Sequence, residues 1–377
     1  MKYFLSILSV AGLGLLSVAA FAENSNAPYK VLDTTQLMGS GGIDYVFADN
    51  DARRVYVPRG GSTFVFDLDS HKYIGAITNI GGHGVAVDTK THHGFSSGGK
   101  IGMFDTETMQ KIKDIDVQGR PDGILLEPVT GKVFIFSHQA PSITMIDPRD
   151  GTVAGTIDVG GAMEQAQSDG MGKLYVAVED EKKIAVVDLK TLKVITKYDL
   201  GDKAGEPAGL GLDVKNHLLF AMCANPNVCV VLNADDGKFL ATLPIGSGTD
   251  GGGFNPATME AFSSQRDGTL TIIKEKSPAE FEVAQNVQTK VGCKTCSLDT
   301  RNNVIVLICT ERAPQAAMTA PPPLAFVATT TPPTNGVTPM PTLVTNSPPS
   351  TNAPAGQRRG GGNRGGPGNL DVLFVGH

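Results

Sequence analysis

The sequence predicts an all-β fold, a seven-bladed β-propeller of four-stranded antiparallel blades, and three observations carry that prediction. A four-strand pattern recurs along the chain, its period is nearly constant, and the strand that the last copy lacks stands at the opposite end of the chain. The 377 residues are 41% hydrophobic, enough for a substantial core, so composition excludes global disorder. They include no Trp, which excludes repeat families whose signature contains that residue, such as WD40. The formal net charge of -6 and pI near 5.7 argue against a nucleic-acid protein held by a broad basic surface.

The first two strands of each copy read apolar-x-apolar, an acid or Asn, a short turn, then an apolar strand. They appear as FADNDARRVYV (47–57), VAVDTKTHHGF (85–95), LLEPVTGKVFIF (125–136) and QSDGMGKLYVAV (167–178), then as GLDVKNHLLFAM (211–222), GFNPATMEAFS (253–263) and SLDTRNNVIVLI (297–308). The turn residues are Asp49, Asp88, Glu127, Asp169, Asp213, Asn255 and Asp299, spaced 39, 39, 42, 44, 42 and 44 residues apart. A third alternating strand follows, as in TFVFD (63–67), IGMFD (101–105), ITMID (143–147) and IAVVD (184–188), and a fourth comes after it. Alternating polarity with Asp, Gly and Asn turns is hairpin chemistry, and no convincing helical period occurs after the first 22 residues. Four strands per roughly 42 residues, repeated, make propeller blades. A sandwich would not explain a fixed period, and an open solenoid would need capping repeats.

The seventh copy has its first two strands at 296–310, and its third arrives only at Leu370–Val375. Its fourth is missing from the C-terminus, but Tyr29–Leu37 aligns with the fourth strands of the other copies. The N-terminal strand is therefore expected to complete blade seven and close the ring, hiding edges that a lone sheet would expose.

These units resemble the YVTN family of β-propeller repeats. The likeness lies in Val55-Tyr56-Val57-Pro58 and Leu174-Tyr175-Val176-Ala177, followed by Val-x-Val-Asp-type third strands and Val/Ile-Gly-Gly endings, over 29–312 and 370–377. No copy carries an intact YVTN tetrapeptide. The resemblance implies a propeller strongly and an activity weakly. Such proteins are mostly extracytoplasmic with binding or surface roles, and related propellers include lactonases and electron-transfer enzymes. Function must then be argued from the site.

Lys2, an apolar run from Tyr3 to Phe21 and Ala20-Phe21-Ala22 before Glu23 describe a secretory signal peptide at 1–22, against the alternative of a membrane anchor. The expectation is a periplasmic or extracellular protein, monomeric and without membrane contact after cleavage. Residues 313–368 are first Pro/Thr/Ala/Asn-rich and then Gly-rich with Arg358, Arg359 and Arg364, a composition expected to be disordered. The readings are a variable loop, a tether or O-glycosylated segment, or, least in keeping with export, an RNA-binding box.

Candidate site residues come from the loops that lead into each first strand. Five residues before each turn residue stand Asp44, His83, Asp122, Glu164, Ala208, Asp250 and Lys294, with Glu206 two residues before Ala208. A propeller brings such positions near one axis, so a ring of carboxylates with one His is expected at the channel mouth, where His138 could join it. Oxygen ligands suit Ca²⁺, Mg²⁺ or Mn²⁺, and His adds affinity for transition metals. A divalent metal ion held by Asp44, His83, Asp122, Glu164 and Asp250 is one reading, a desolvated general base a second, and a merely solvated channel mouth a third. No Gly-x-Ser-x-Gly supports a hydrolase triad, no helix follows the Gly clusters to make a phosphate loop, and no Cys-x-x-Cys-His attaches haem.

For the five cysteines, a Cys223–Cys229 bridge at a hairpin tip is expected. Cys296 could pair with Cys309 across a turn or with Cys293 in a small loop, leaving one thiol over. The function expected from these residues is an exported, non-enzymatic scaffold that binds a protein or small-molecule ligand through the channel-mouth face. The alternative is a metal-dependent, lactonase-like hydrolase using the acidic ring.

Overall fold

The computed structural model describes residues 28–202, 204–312 and 368–377. The expected signal peptide (1–22) and the insertion expected at 313–368 lie outside these residues, except Gly368, which opens a strand. The described residues form seven antiparallel sheets of four strands each, a seven-bladed β-propeller. No helix among them is long and apolar enough to cross a membrane. The inner strands, which line the central channel, are Phe47–Asp49, Val85–Asp88, Pro121–Glu127, Met163–Ser168, Glu206–Asp213, Thr249–Asn255 and Cys293–Asp299 for blades one to seven.

The middle strands show why period-two patterning yields this fold. Along Lys173–Val178 in blade four, Leu174, Val176 and Val178 join a cluster with Phe134 and Phe136 of blade three. Tyr175 and Ala177, pointing the other way, join a cluster with Leu219 and Ala221 of blade five. Both faces are buried, so the strand reads as a near-continuous apolar run. Each of the other five blade junctions likewise has its own apolar cluster. The core is therefore a circle of interfaces between blades, and no blade could bury its faces alone.

The repeating acids that mark the period are turn supports. Asp49 Oδ1 accepts hydrogen bonds from the backbone N–H of Asp51 and Ala52 at 3.1 and 3.0 Å. Asp169, Asp299 and Glu127 hold their turns in the same way. This is Asx-turn chemistry, and a residue at positive φ, such as Arg53 at 55° or His217 at 55°, commonly ends the turn. The acids at the ends of the third strands, Asp67, Asp105 and Asp188, do the same for the next turn.

Blade seven closes as the sequence predicts. The strand Lys30–Gly39 is its outermost member, paired with Gly368–Gly376, which pairs with Val304–Arg312 and so reaches the inner strand. At the opposite end of the channel from the candidate ring, Arg53 of blade one forms a two-pronged ion pair with Asp299 of blade seven, both contacts at 2.7 Å, and also meets Asp69 at 2.8 Å. That latch ties the first blade to the last.

The cysteines correct two expectations, the Cys223–Cys229 bridge and the pairing of Cys296 with Cys309 or Cys293. Cys223 and Cys229 are both buried free thiols, not a bridge. Met222 lies directly opposite Cys229 in the register, so Cys223, one residue on, points to the other face of the sheet. Cys223 accordingly packs between blades four and five, and Cys229 between blades five and six. The bridge joins Cys293 to Cys309, which stand opposite each other on neighbouring strands of blade seven, and Cys296 is the thiol left over. Burial pushes the Cys223 thiol up to about 12 and the Cys296 thiol up to about 11, so neither is a ready nucleophile. Cutting the bridge, which spans 16 residues, with Cys309→Ser is expected to remove about 3 kcal/mol of stability. Urea unfolding under non-reducing conditions checks it. An unchanged midpoint would show that the cross-link does not stabilise the native blade.

Candidate metal and ligand site at the channel mouth

The loops entering the inner strands place the candidate side chains, and the strands themselves are bent to aim them. In blades three to seven the register of the inner strand shifts at the site residue: between Pro121 and Ile124, Met163 and Ala166, Pro207 and Gly209, Thr249 and Gly251, and Cys293 and Cys296. Such bulges break the alternation and re-aim one side chain, here Asp122, Glu164, Ala208, Asp250 and Lys294. In blade two His83 follows Gly82, where a Cβ would lie 1.9 Å from the Ser97 carbonyl oxygen. Only glycine lets the chain pass so close, and His83 then donates its backbone N–H to that oxygen.

The resulting contacts form a chain of alternating charge around the mouth. Glu164 Oε1 lies 3.3 Å from His138 Nε2, which lies 3.3 Å from Asp122 Oδ2. Asp122 Oδ1 lies 3.1 Å from His83 Nδ1, which meets Asp44 Oδ2 at 2.6 Å. Asp44 Oδ1 meets Lys294 Nζ at 2.6 Å, and Lys294 meets Asp250 Oδ2 at 3.0 Å, where Arg266 also binds at 3.0 Å. The expected ring of carboxylates is thus an ion network, and its cations relieve the repulsion that bare carboxylates would suffer.

Six of the candidate positions, Asp44, His83, Asp122, Glu164, Asp250 and Lys294, come together in this network. Ala208 is buried without polar reach, and Glu206 accepts a hydrogen bond from Asn225 in its own blade. Asp250 is engaged by Lys294 and Arg266, apart from the two groups whose ligating atoms lie within 4.8 Å of one another. Those groups are Asp44, His83 and Asp122, and Asp122, His138 and Glu164.

Tyr45 was not among the sequence candidates. It extends from blade one to blades three and four, and its hydroxyl meets Glu164 Oε2 at 3.0 Å and Asp122 Oδ2 at 3.3 Å. Its only sequence signal is its place one residue after Asp44.

The electrostatics follow from burial and pairing. Burial pushes the Glu164 carboxyl up to about 7, against the pull of His138. The carboxylates of Asp122 first and then Glu164, each 3.3 Å from Nε2, raise the His138 imidazole to about 10 in spite of its burial. The contact with Asp44 raises His83. Burial opposes ionisation of Asp122, but His138 and His83 outweigh it and hold the carboxyl below its usual range. Burial first, then the surrounding carboxylates, raises the Tyr45 phenol. Lys294 stays charged because Asp250 and Asp44 outweigh its desolvation. At neutral pH the proton on the His138 imidazole occupies a place a cation would take. A mixed set of imidazole and carboxylate ligands suits Mn²⁺, Zn²⁺ or related ions better than Ca²⁺ or Mg²⁺.

Comparison with known proteins adds the fold and nothing finer. No family model matches the chain, so the YVTN resemblance has no model match behind it. No curated protein matches in sequence. Solved structures do match: a chain in the crystal structure of the mitotic checkpoint complex has a TM-score of 0.64 at 12% identity, covering 81% of this chain and 96% of that one. The structure of U3-55K has a TM-score of 0.63 at 11% identity, covering 74% of this chain and 92% of that one. The protein is a seven-bladed propeller of WD40-like shape. The missing Trp therefore excludes a repeat signature without excluding the architecture that the signature accompanies elsewhere.

Proposed function

We propose that this protein is an exported binding scaffold whose channel-mouth face takes a protein or small-molecule ligand through a divalent cation. The supporting observation is the convergence of Asp44, His83, Asp122, His138 and Glu164, drawn from blades one to four, into groups with ligating atoms within 4.8 Å. Four blades contribute to one spot, so the ring holds the donors in place before a ligand arrives, which lowers the ordering cost of binding. Export rests on the N-terminal sequence pattern, and monomeric state on the closed ring.

A second reading, metal-dependent hydrolysis of a lactone-like ester, draws on Glu164, whose raised carboxyl sits beside the same donors and could serve as a general base.

The test is a chelator-stripped sample titrated separately with Mn²⁺, Zn²⁺ and Ca²⁺ and followed by thermal unfolding. Mn²⁺ or Zn²⁺ at about 100 times Kd is expected to stabilise by about 2.7 kcal/mol, with Ca²⁺ weaker. No shift with any of the three overturns the cation reading. Turnover of simple lactones by the loaded protein would replace the scaffold reading with the hydrolase.

A further inference from the structure

We infer that the channel mouth holds a pair of divalent transition-metal ions bridged by Asp122. The inference rests on the cation reading above and deepens it.

Asp122 offers its two oxygens to different groups: Oδ1 faces His83 at 3.1 Å and Oδ2 faces His138 at 3.3 Å. Each group then has the same makeup, one imidazole nitrogen, one terminal carboxylate and one oxygen of Asp122. The outer contacts repeat as well. Asp44 gives Oδ1 to Lys294 at 2.6 Å and keeps Oδ2 toward His83. Glu164 gives Oε2 to the Tyr45 hydroxyl at 3.0 Å and keeps Oε1 toward His138. In each half, therefore, an outer donor fixes one oxygen of the terminal carboxylate and leaves the other turned inward, which is how supporting residues orient metal ligands.

The setting of His138 adds to this symmetry. His138 Nε2 is buried and makes no hydrogen bond of acceptable geometry, although it lies between two carboxylates. Solvent does not reach the nitrogen, and a cation coordinated there would take the place of its proton between the two carboxylates.

A single ion would leave one of these halves unused. Two ions sharing one carboxylate would stand on the order of 4 Å apart, the separation of two-metal sites. Their four positive charges meet three negative ones from Asp44, Asp122 and Glu164. The remaining positive charge suits a small oxyanion, a carboxylate or phosphate group, as the bridging ligand.

The experiment uses the full chain, stripped with chelator and titrated with Mn²⁺ by calorimetry and electron paramagnetic resonance. Two equivalents and the spectrum of an exchange-coupled Mn²⁺ pair are expected. His83→Gln and His138→Gln are each expected to retain one equivalent and to lose the coupling, with blade content verified by circular dichroism. One equivalent in the wild type, without coupling, overturns the pair and leaves the scaffold reading standing. No binding at all overturns both. Because the wild-type spectrum decides on its own, poor folding of either variant does not protect the inference.

Discussion

Asp122→Asn is expected to abolish tight Mn²⁺ or Zn²⁺ binding in both halves of the channel mouth, a fall of at least a hundredfold in affinity. Asp122 is the one side chain common to both groups of ligating atoms, and it is 7% exposed. An amide keeps the shape but loses the charge that holds a cation, and buried electrostatics are little screened. The same substitution removes one of the two carboxylates that keep His138 protonated up to about 10. The sign of the pH effect follows. A histidine whose folded value is raised contributes stability that is fully present below its unfolded value near 6.5 and is lost as pH rises through about 10. The metal-free wild type should therefore lose stability between those limits, and Asp122→Asn should flatten that slope. Because a metal must displace the imidazole proton, wild-type affinity should rise with pH over the same interval. Calorimetric titration at several pH values, with thermal unfolding in chelator, measures both. A variant that binds Mn²⁺ as tightly as the wild type would remove Asp122 from the site.

Deleting residues 28–39 is expected to leave the chain unable to form a stable monomer. The deletion removes the outer strand of blade seven, which pairs with Gly368–Gly376 from Lys30 opposite Gly376 to Gly39 opposite Gly368. It also removes Tyr29, buried between blades six and seven, whose hydroxyl donates to Glu260 at 2.7 Å. The Tyr29 backbone exchanges two hydrogen bonds of 2.8 Å with the Gln285 amide. What remains is a long strand with an unpaired, apolar-flanked edge, the surface on which sheets aggregate. Aggregation or loss of the cooperative transition is expected, and a synthetic peptide of residues 28–39 should restore part of it by refilling the edge. Size-exclusion chromatography and thermal unfolding read the result. A soluble monomer with the wild-type midpoint would show that closure does not depend on this strand.

Much of the architecture is legible in the sequence because its causes are local. Leu174, Val176 and Val178 alternate with Tyr175 and Ala177 whatever the ring does, and that alternation already demands two buried faces. The acids at Asp49, Asp169 and Asp299 carry the period because each holds its own turn within three or four residues. The exchange of the N-terminal strand into blade seven is also visible, since one copy lacks a strand and one strand lacks a copy.

The site was legible only as a list of positions. Counting back from the turn acids finds Asp44, His83, Asp122, Glu164, Asp250 and Lys294, but the count cannot say which of them touch. That outcome depends on the bulges at Asp122, Glu164, Asp250 and Lys294, which turn side chains against the strand alternation. Tyr45 escaped notice because its partners Asp122 and Glu164 lie 77 and 119 residues away and meet it only across the channel. The cysteines follow the same rule. Sequence closeness favoured Cys223 with Cys229, whereas bridging needs two cysteines on one face at matched register, which Cys293 and Cys309 have and Cys223 and Cys229 lack.

By itself, then, the sequence determined the repeating unit, its number and the way the ring closes. These depend on side-chain alternation, turn chemistry and counting along one strand of chain. Only the tertiary structure decided that the acidic ring is an alternating ion network centred on Asp122, with the Tyr45 hydroxyl on Asp122 and Glu164 and Lys294 drawing Asp250 aside. The physical reason is distance along the chain: these groups are brought together by blade packing around an axis, and no local pattern specifies which oxygen faces which nitrogen.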